Sequence, residues 1–204
     1  MRRLLPLLFL LLIGSVRPAT SVAEHTDRGA SVTLARLRES PDLFVGQRVR
    51  CVLQLASVDG PWEPWTSRFG PRDFRRLEAW CDSQLPWYEE AFVDPARFLF
   101  VRRGGLAEFV LDGAHAHERF EAELVVRELL LGEPWAEVVS LERIRPAIGE
   151  GAVLHASKAL ELADKQLFEL AVSEAERALG SPLPDHAADD LEQLLATWRA
   201  ELEL

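Results

Sequence analysis

Few residues in this chain are spaced for chemistry. The run Asp112-Gly113-Ala114-His115-Ala116-His117-Glu118 holds two histidines two residues apart. On a strand such a pair would project from one face, as many metal sites require. No third or fourth ligand lies at ligand spacing, so His115 and His117 are weak metal candidates, and a polar turn leading into a strand is the competing reading. Glu89 and Glu90 are adjacent, so on a helix or strand their carboxylates diverge and read as solvated surface. The sequence has no Gly-x-Ser-x-Gly elbow, phosphate loop, dinucleotide fingerprint or zinc-protease helix. No catalytic residue and no cofactor is therefore assigned.

A second chemical signal is aromatic. Trp62 and Trp65 sit in a Pro- and Gly-rich loop beside Arg68, Arg72, Arg75 and Arg76. Exposed Trp with Arg is the composition of a binding patch, which makes Trp62, Trp65, Arg68 and Arg72 candidate binding residues. The alternative is a loop folded back so that its tryptophans cap the end of a barrel.

Charge narrows the class of ligand. Of 204 residues, 33 are acidic and 23 are Lys or Arg. Three of those arginines (Arg2, Arg3, Arg17) fall in the first 23 residues, which hold no acid, so the remainder is more acidic still. Nucleic-acid binders gain affinity by neutralising phosphates, and anionic membranes attract basic surfaces. Neither partner suits this chain.

The N-terminus reads as an address. Arg2 and Arg3 precede the apolar run Leu4–Ile13, and Ser21-Val22-Ala23 offers small residues for cleavage before Glu24. The apolar stretch between Arg3 and Arg17 is shorter than the roughly 20 residues a spanning helix needs. A cleaved signal over 1–23 and a periplasmic or secreted location are expected, with no membrane span after cleavage. An oxidising compartment gives Cys51 and Cys81, the only cysteines, a possible disulfide. The other reading is two small buried hydrophobes.

The elements that must position these residues follow from periodicity. Residues 24–31 are polar and read as a flexible linker. A short helix carries Leu34 and Leu37 and stops at Pro41. Beyond Gly46, Val49, Cys51, Leu53 and Leu55 alternate with more polar neighbours, the period of a half-buried strand. Residues 58–73 form a long loop, Leu77–Cys81 and Phe98–Val101 read as two further strands, and Phe120, Ala122, Leu124 and Val126 share one face of a fourth. A turn at Gly132-Glu133-Pro134 leads into a fifth, Trp135–Ile144. After the linker 147–151 the pattern becomes helical: Val153–Lys165, Phe168–Leu179, and a third helix from an Asp185 N-cap to about Glu203.

Residues 32–146 resemble bacterial OB-fold domains. The resemblance lies in the run Leu37…Phe44-Val45-Gly46-Gln47-Arg48-Val49-Arg50, where a short helix leads through a glycine into the first strand, and in the closing hairpin from Arg119. It implies a small five-stranded barrel; an open sandwich or an α+β sheet is the alternative. Residues 152–204 are similar to a single tetratricopeptide unit plus a third helix. Ala159 and Leu162 stand at first-helix positions and Phe168, Ala171 and Ala178 at second-helix positions, while Lys158 departs from the pattern. The expected class is α+β. The expected function is an exported, non-catalytic binding or scaffolding protein engaging a protein partner through the aromatic and arginine loop and the helical tail. The alternative is a binder of a small ligand (oligosaccharide or metal), or an enzyme, using His115 and His117 or a pocket beneath Trp62 and Trp65.

Overall fold

The computed structural model describes residues 29–62 and 68–203. The expected signal segment and Trp65 lie outside the described residues. The architecture is α+β: a closed, mixed, five-stranded barrel with OB-like strand order, followed by helices.

Alternation builds the barrel. Strand β1 (Ala30–Ser31) lies parallel to the start of β2 (Arg48–Val58). On β2, Val49, Cys51, Leu53 and Leu55 are buried, and on β5 (Arg119–Leu130) so are Phe120, Ala122, Leu124 and Val126. The strands β3 (Phe74–Cys81), β4 (Ala96–Arg102) and β6 (Glu133–Ile144) complete the wall. Strand β2 closes it: its first half pairs with β5 and its second half with β3, Leu53 and Gln54 pairing on both sides. The pairing of β4 with β6 is parallel, which requires a crossover; helix α3 (Leu106–Leu111) and β5 supply it. Side chains fill so small a barrel completely, and each fully buried Leu or Phe stabilises the fold by roughly 1.5–3 kcal/mol.

Two glycines have a steric reason. A Cβ on Gly29 would fall on the carbonyl of Arg48, so only glycine lets β1 lie against β2. Gly46 has φ +78° and donates its N–H to the Val126 carbonyl at 2.8 Å, turning the chain from helix α1 (Leu34–Glu39) into the barrel. The β5–β6 turn is Leu131-Gly132, with φ +54° and +86°. Glu133 and Pro134, expected in that turn, are already paired in β6. Positive φ at both central residues gives the ribbon the twist of a tight hairpin.

The disulfide expectation is corrected. Cys51 and Cys81 are free and buried, on neighbouring strands. Leu53, not Cys51, faces Cys81 across the β2–β3 ladder, so the two cysteines are not directly opposed, and no bond joins them. Burial, with the nearby Cys81 adding to it, pushes the Cys51 thiol up to about 12.

The helices α4 (Glu150–Asp164), α5 (Phe168–Leu179) and α6 (Asp185–Leu202) follow. Ala159, Ala171, Ala175 and Ala178 are fully buried, which lets the helices approach closely. Asp185 is the first helical residue, and Pro184 stands at the N-cap expected for it. The helices share their core with the barrel through the β3–β4 connection, which carries the four-residue helix α2 (Glu89–Phe92). Trp87 from that connection packs with Ile148, Ala152, Ala156, Ala187 and Leu191. Its indole N–H donates to Asp190 at 3.1 Å, and the Tyr88 hydroxyl donates to the same carboxylate at 3.0 Å. Gln54 on β2 adds a buried hydrogen bond to the Ile148 carbonyl at 2.9 Å.

Two outcomes follow. Trp87→Ala is expected to lose about 3–5 kcal/mol through the cavity it leaves, and calorimetry should show the helices melting ahead of the barrel; a single unshifted transition would contradict the packing. Neither thiol of the native protein should react with a thiol reagent, and both should react after unfolding without reductant. Loss of both thiols under those conditions would mean a bond between them.

Candidate functional site

Where the barrel meets the helices the surface opens into a groove of about 860 Å³. One wall comes from the β3–β4 connection: Pro86, Trp87, Tyr88, Glu89 and Phe92. The other is one face of α4: Glu150, Val153, Leu154, Ser157, Leu160, Glu161 and Asp164. Those seven recur at three- and four-residue steps, the spacing that places side chains on one side of a helix. His117 completes the lining. The volume falls within the range of ligand pockets, which favour the junctions between packed units.

The connection is held rigidly. The Trp80 indole N–H donates to the Phe92 carbonyl at 3.1 Å, and its ring lies 5.6 Å from that of Phe92. On its other side Trp80 stacks with His117 at 5.2 Å. Ser157 donates to the carbonyl of Trp87 at 3.3 Å, tying α4 to the opposite wall. So braced, the groove exposes apolar surface: Phe92 is 48% and Leu154 67% accessible.

Its electrostatics are one-sided. Glu89, Glu150 and Asp164 make no ion pair among the described residues, and Glu161 is bridged by Lys158 and Lys165 at 2.8 and 2.6 Å, which hold its carboxyl down at about 2. His117 adds no fixed positive charge at neutral pH, because burial lowers its pKa, with Glu150 pulling weakly the other way. Its Nδ1 is buried without a hydrogen-bond partner.

The expected site residues separate. His117 reaches the groove, with φ +70° and its N–H on the Leu55 carbonyl at 2.7 Å. His115 is exposed, and its N–H is taken by Glu118 at 3.3 Å. Both lie in a turn before β5, not on a strand, so they do not project together as the metal reading required. Among the described residues no group of three or more His, Cys, Asp or Glu is placed to hold a metal.

The aromatic loop lies at another part of the barrel. Trp62 is half-buried, its ring 5.8 Å from Phe100, and Phe69 is the residue that fills the end of the barrel, stacked on Phe100 at 4.3 Å and edge-on to Phe74 at 4.9 Å. Arg76 anchors the base of the loop through the carbonyls of Arg97 and Pro61. Arg68 donates to the Arg127 carbonyl at 2.8 Å, and Arg72 is exposed. Near Arg68, Arg102 and Arg127 grip Glu137 at 3.0 and 2.7 Å. Burial alone would push that carboxyl up, but the two guanidiniums hold it below its ordinary range.

Sequence reasoning missed the groove. Trp87, Tyr88 and Phe92 stood among many aromatics without a role, and Glu89 read as plain surface. The available signal was the face of α4, where acids at Glu150, Glu161 and Asp164 flank Val153, Leu154 and Leu160. Compared with known proteins, the chain matches no protein-family model and no curated protein.

The groove wall can be tested through Tyr88, the only tyrosine. Burial first, and then the Asp190 carboxylate, push its phenol up to about 12. An unfolded phenol titrates near 10, so the unfolded chain loses its proton first as pH rises. The stabilisation is complete below about pH 10 and is lost between about 10 and 12. Phenolate absorbance should therefore appear late in the native protein, and Tyr88→Phe should flatten the fall in stability over that window. A phenol that titrates at its free value would show that the bond to Asp190 is not made.

Proposed function

We propose that this is an exported, non-catalytic binding or scaffolding protein whose groove between barrel and helices takes a segment of a protein partner. The observation that carries the reading is the pair of accessible apolar side chains, Phe92 and Leu154, held on braced walls of an 860 Å³ groove. Large exposed apolar side chains held together in this way mark interaction surfaces.

The chemistry around the groove supports binding over catalysis. Ser157 spends its hydroxyl on the Trp87 carbonyl, and no hydrogen bond joins His117 to a nucleophile among the described residues. Both thiols are buried in the barrel, and burial keeps that of Cys51 protonated. In this reading the barrel is an OB-like scaffold, and α4 with α5 is a tetratricopeptide-like unit whose spare face lines the groove. Export rests on the basic and apolar pattern of residues 1–23. Arg68 and Arg72, with Trp62, form an accessory contact at the other loop.

Affinity capture from the exported fraction tests this with three proteins. Leu154→Asp replaces an exposed residue, so its melting temperature should stay within about 1–2 °C of the original while its captured partner is lost. Trp62→Ala with Arg68→Ala should weaken capture without abolishing it. Capture that survives Leu154→Asp overturns the groove reading and moves the search to the loop.

A further inference from the structure

We propose that the partner segment seated in the groove is a basic, amphipathic peptide stretch of about six or seven residues, apolar at its centre and carrying Lys or Arg towards both ends. This rests on the protein-binding reading above and specifies the chemistry of its ligand.

The order of side chains along α4 sets the pattern. Glu150 stands at one end of the groove and Glu161 and Asp164 at the other, with Val153, Leu154 and Leu160 between them. Glu150 and Asp164 are fourteen residues apart, so at 1.5 Å per residue their backbones are separated by about 21 Å. That spread is far too wide for one cation or metal ion. It matches an extended chain of about six or seven residues at roughly 3.3 Å each. The opposite wall repeats the pairing of apolar and acidic groups, with Phe92 and Tyr88 beside Glu89.

Charge complementarity decides the sign. Glu89, Glu150 and Asp164 are without ion-pair partners among the described residues, and no Lys or Arg lines the groove. An acidic segment would meet three unpaired carboxylates, Glu89, Glu150 and Asp164, while Lys158 and Lys165 are already taken by Glu161, and like charges brought together across an interface oppose binding. A purely apolar segment would desolvate the acidic ends without pairing them. A basic-ended, apolar-centred segment satisfies both ends and covers Phe92 and Leu154.

Three dye-labelled heptapeptides of common apolar centre test this by fluorescence anisotropy on the full protein: one with Lys at both ends, one with Glu, one with Ser. The Lys peptide should bind about tenfold tighter than the Ser peptide, and the Glu peptide more weakly than either. Raising ionic strength from about 0.05 to about 0.5 M should remove most of that advantage. Glu150→Gln with Asp164→Asn should remove it at low salt, whereas Glu142→Gln, an exposed acid on β6, should leave it intact. If all three peptides bind equally and Leu154→Asp abolishes them, the basic-segment inference falls and the protein-binding reading stands. If no peptide binds while capture of the natural partner still needs Leu154, the inference falls alone. If capture ignores Leu154, both fall.

Discussion

One carboxylate fastens the two parts of this molecule. Asp190, on α6, accepts the indole N–H of Trp87 and the hydroxyl of Tyr88, two donors from a connection that belongs to the barrel. Hydrogen bonds to a charged acceptor are about twice as strong as neutral ones, and an unpaired donor left among apolar neighbours would cost about 1–3 kcal/mol. The indole can therefore enter the helical core only because its single polar atom is met there. Once Trp87 is seated among Ile148, Ala156 and Leu191, the chain on either side of it is fixed, and with it Glu89 and Phe92. The groove is thus a by-product of the fastening: the connection is anchored at Trp87 and, through the Trp80 indole, at the Phe92 carbonyl, and what lies between them lines the gap to α4 without filling it.

The barrel closes on its own strands, none of them supplied by the helical part. Strand β2 pairs on both sides through the same residues, so the sheet has no long open edge to protect. One end of the barrel is stopped by aromatic packing, with Phe69 among Phe74, Phe100 and Trp135. Its two thiols behave as small hydrophobes. The arginines around Glu137 satisfy an otherwise costly buried charge on the wall.

Much of this was legible from residue types alone, because alternation and helical period are local signals. The five strands were expected near their observed places, although β2 and β5 run several residues further than the sequence suggested. The helix from Phe168 begins where expected, and α6 begins one residue early, with Pro184 rather than Asp185 at its N-cap. The short helices α2 and α3 were not foreseen: four and six residues give too few turns to show a period. The turn before β6 lies one residue earlier than Gly132-Glu133-Pro134 because Leu131 adopts a positive φ that a leucine rarely takes and that its residue type does not signal. The disulfide expected of the cysteines is not made and the other reading, two small buried hydrophobes, is what the structure has, because register, which decides whether they meet, is not written in either strand by itself. The groove was invisible for the same reason, since it needs Trp87 beside a helix that begins sixty residues later.

The separation of Trp87 from Asp190 also orders events in time. A ribosome adding about 5–20 residues per second needs roughly 5–20 s to reach Asp190 after Trp87 has been made. Through that interval the chain can close its barrel, whose last strand ends at Ile144, while the indole and phenol of the β3–β4 connection still lack the helix that receives them. A chain that has closed its barrel but still lacks α6 bears an uncovered aromatic arm. A holdase that recognises apolar side chains can grip that arm until α6 takes it.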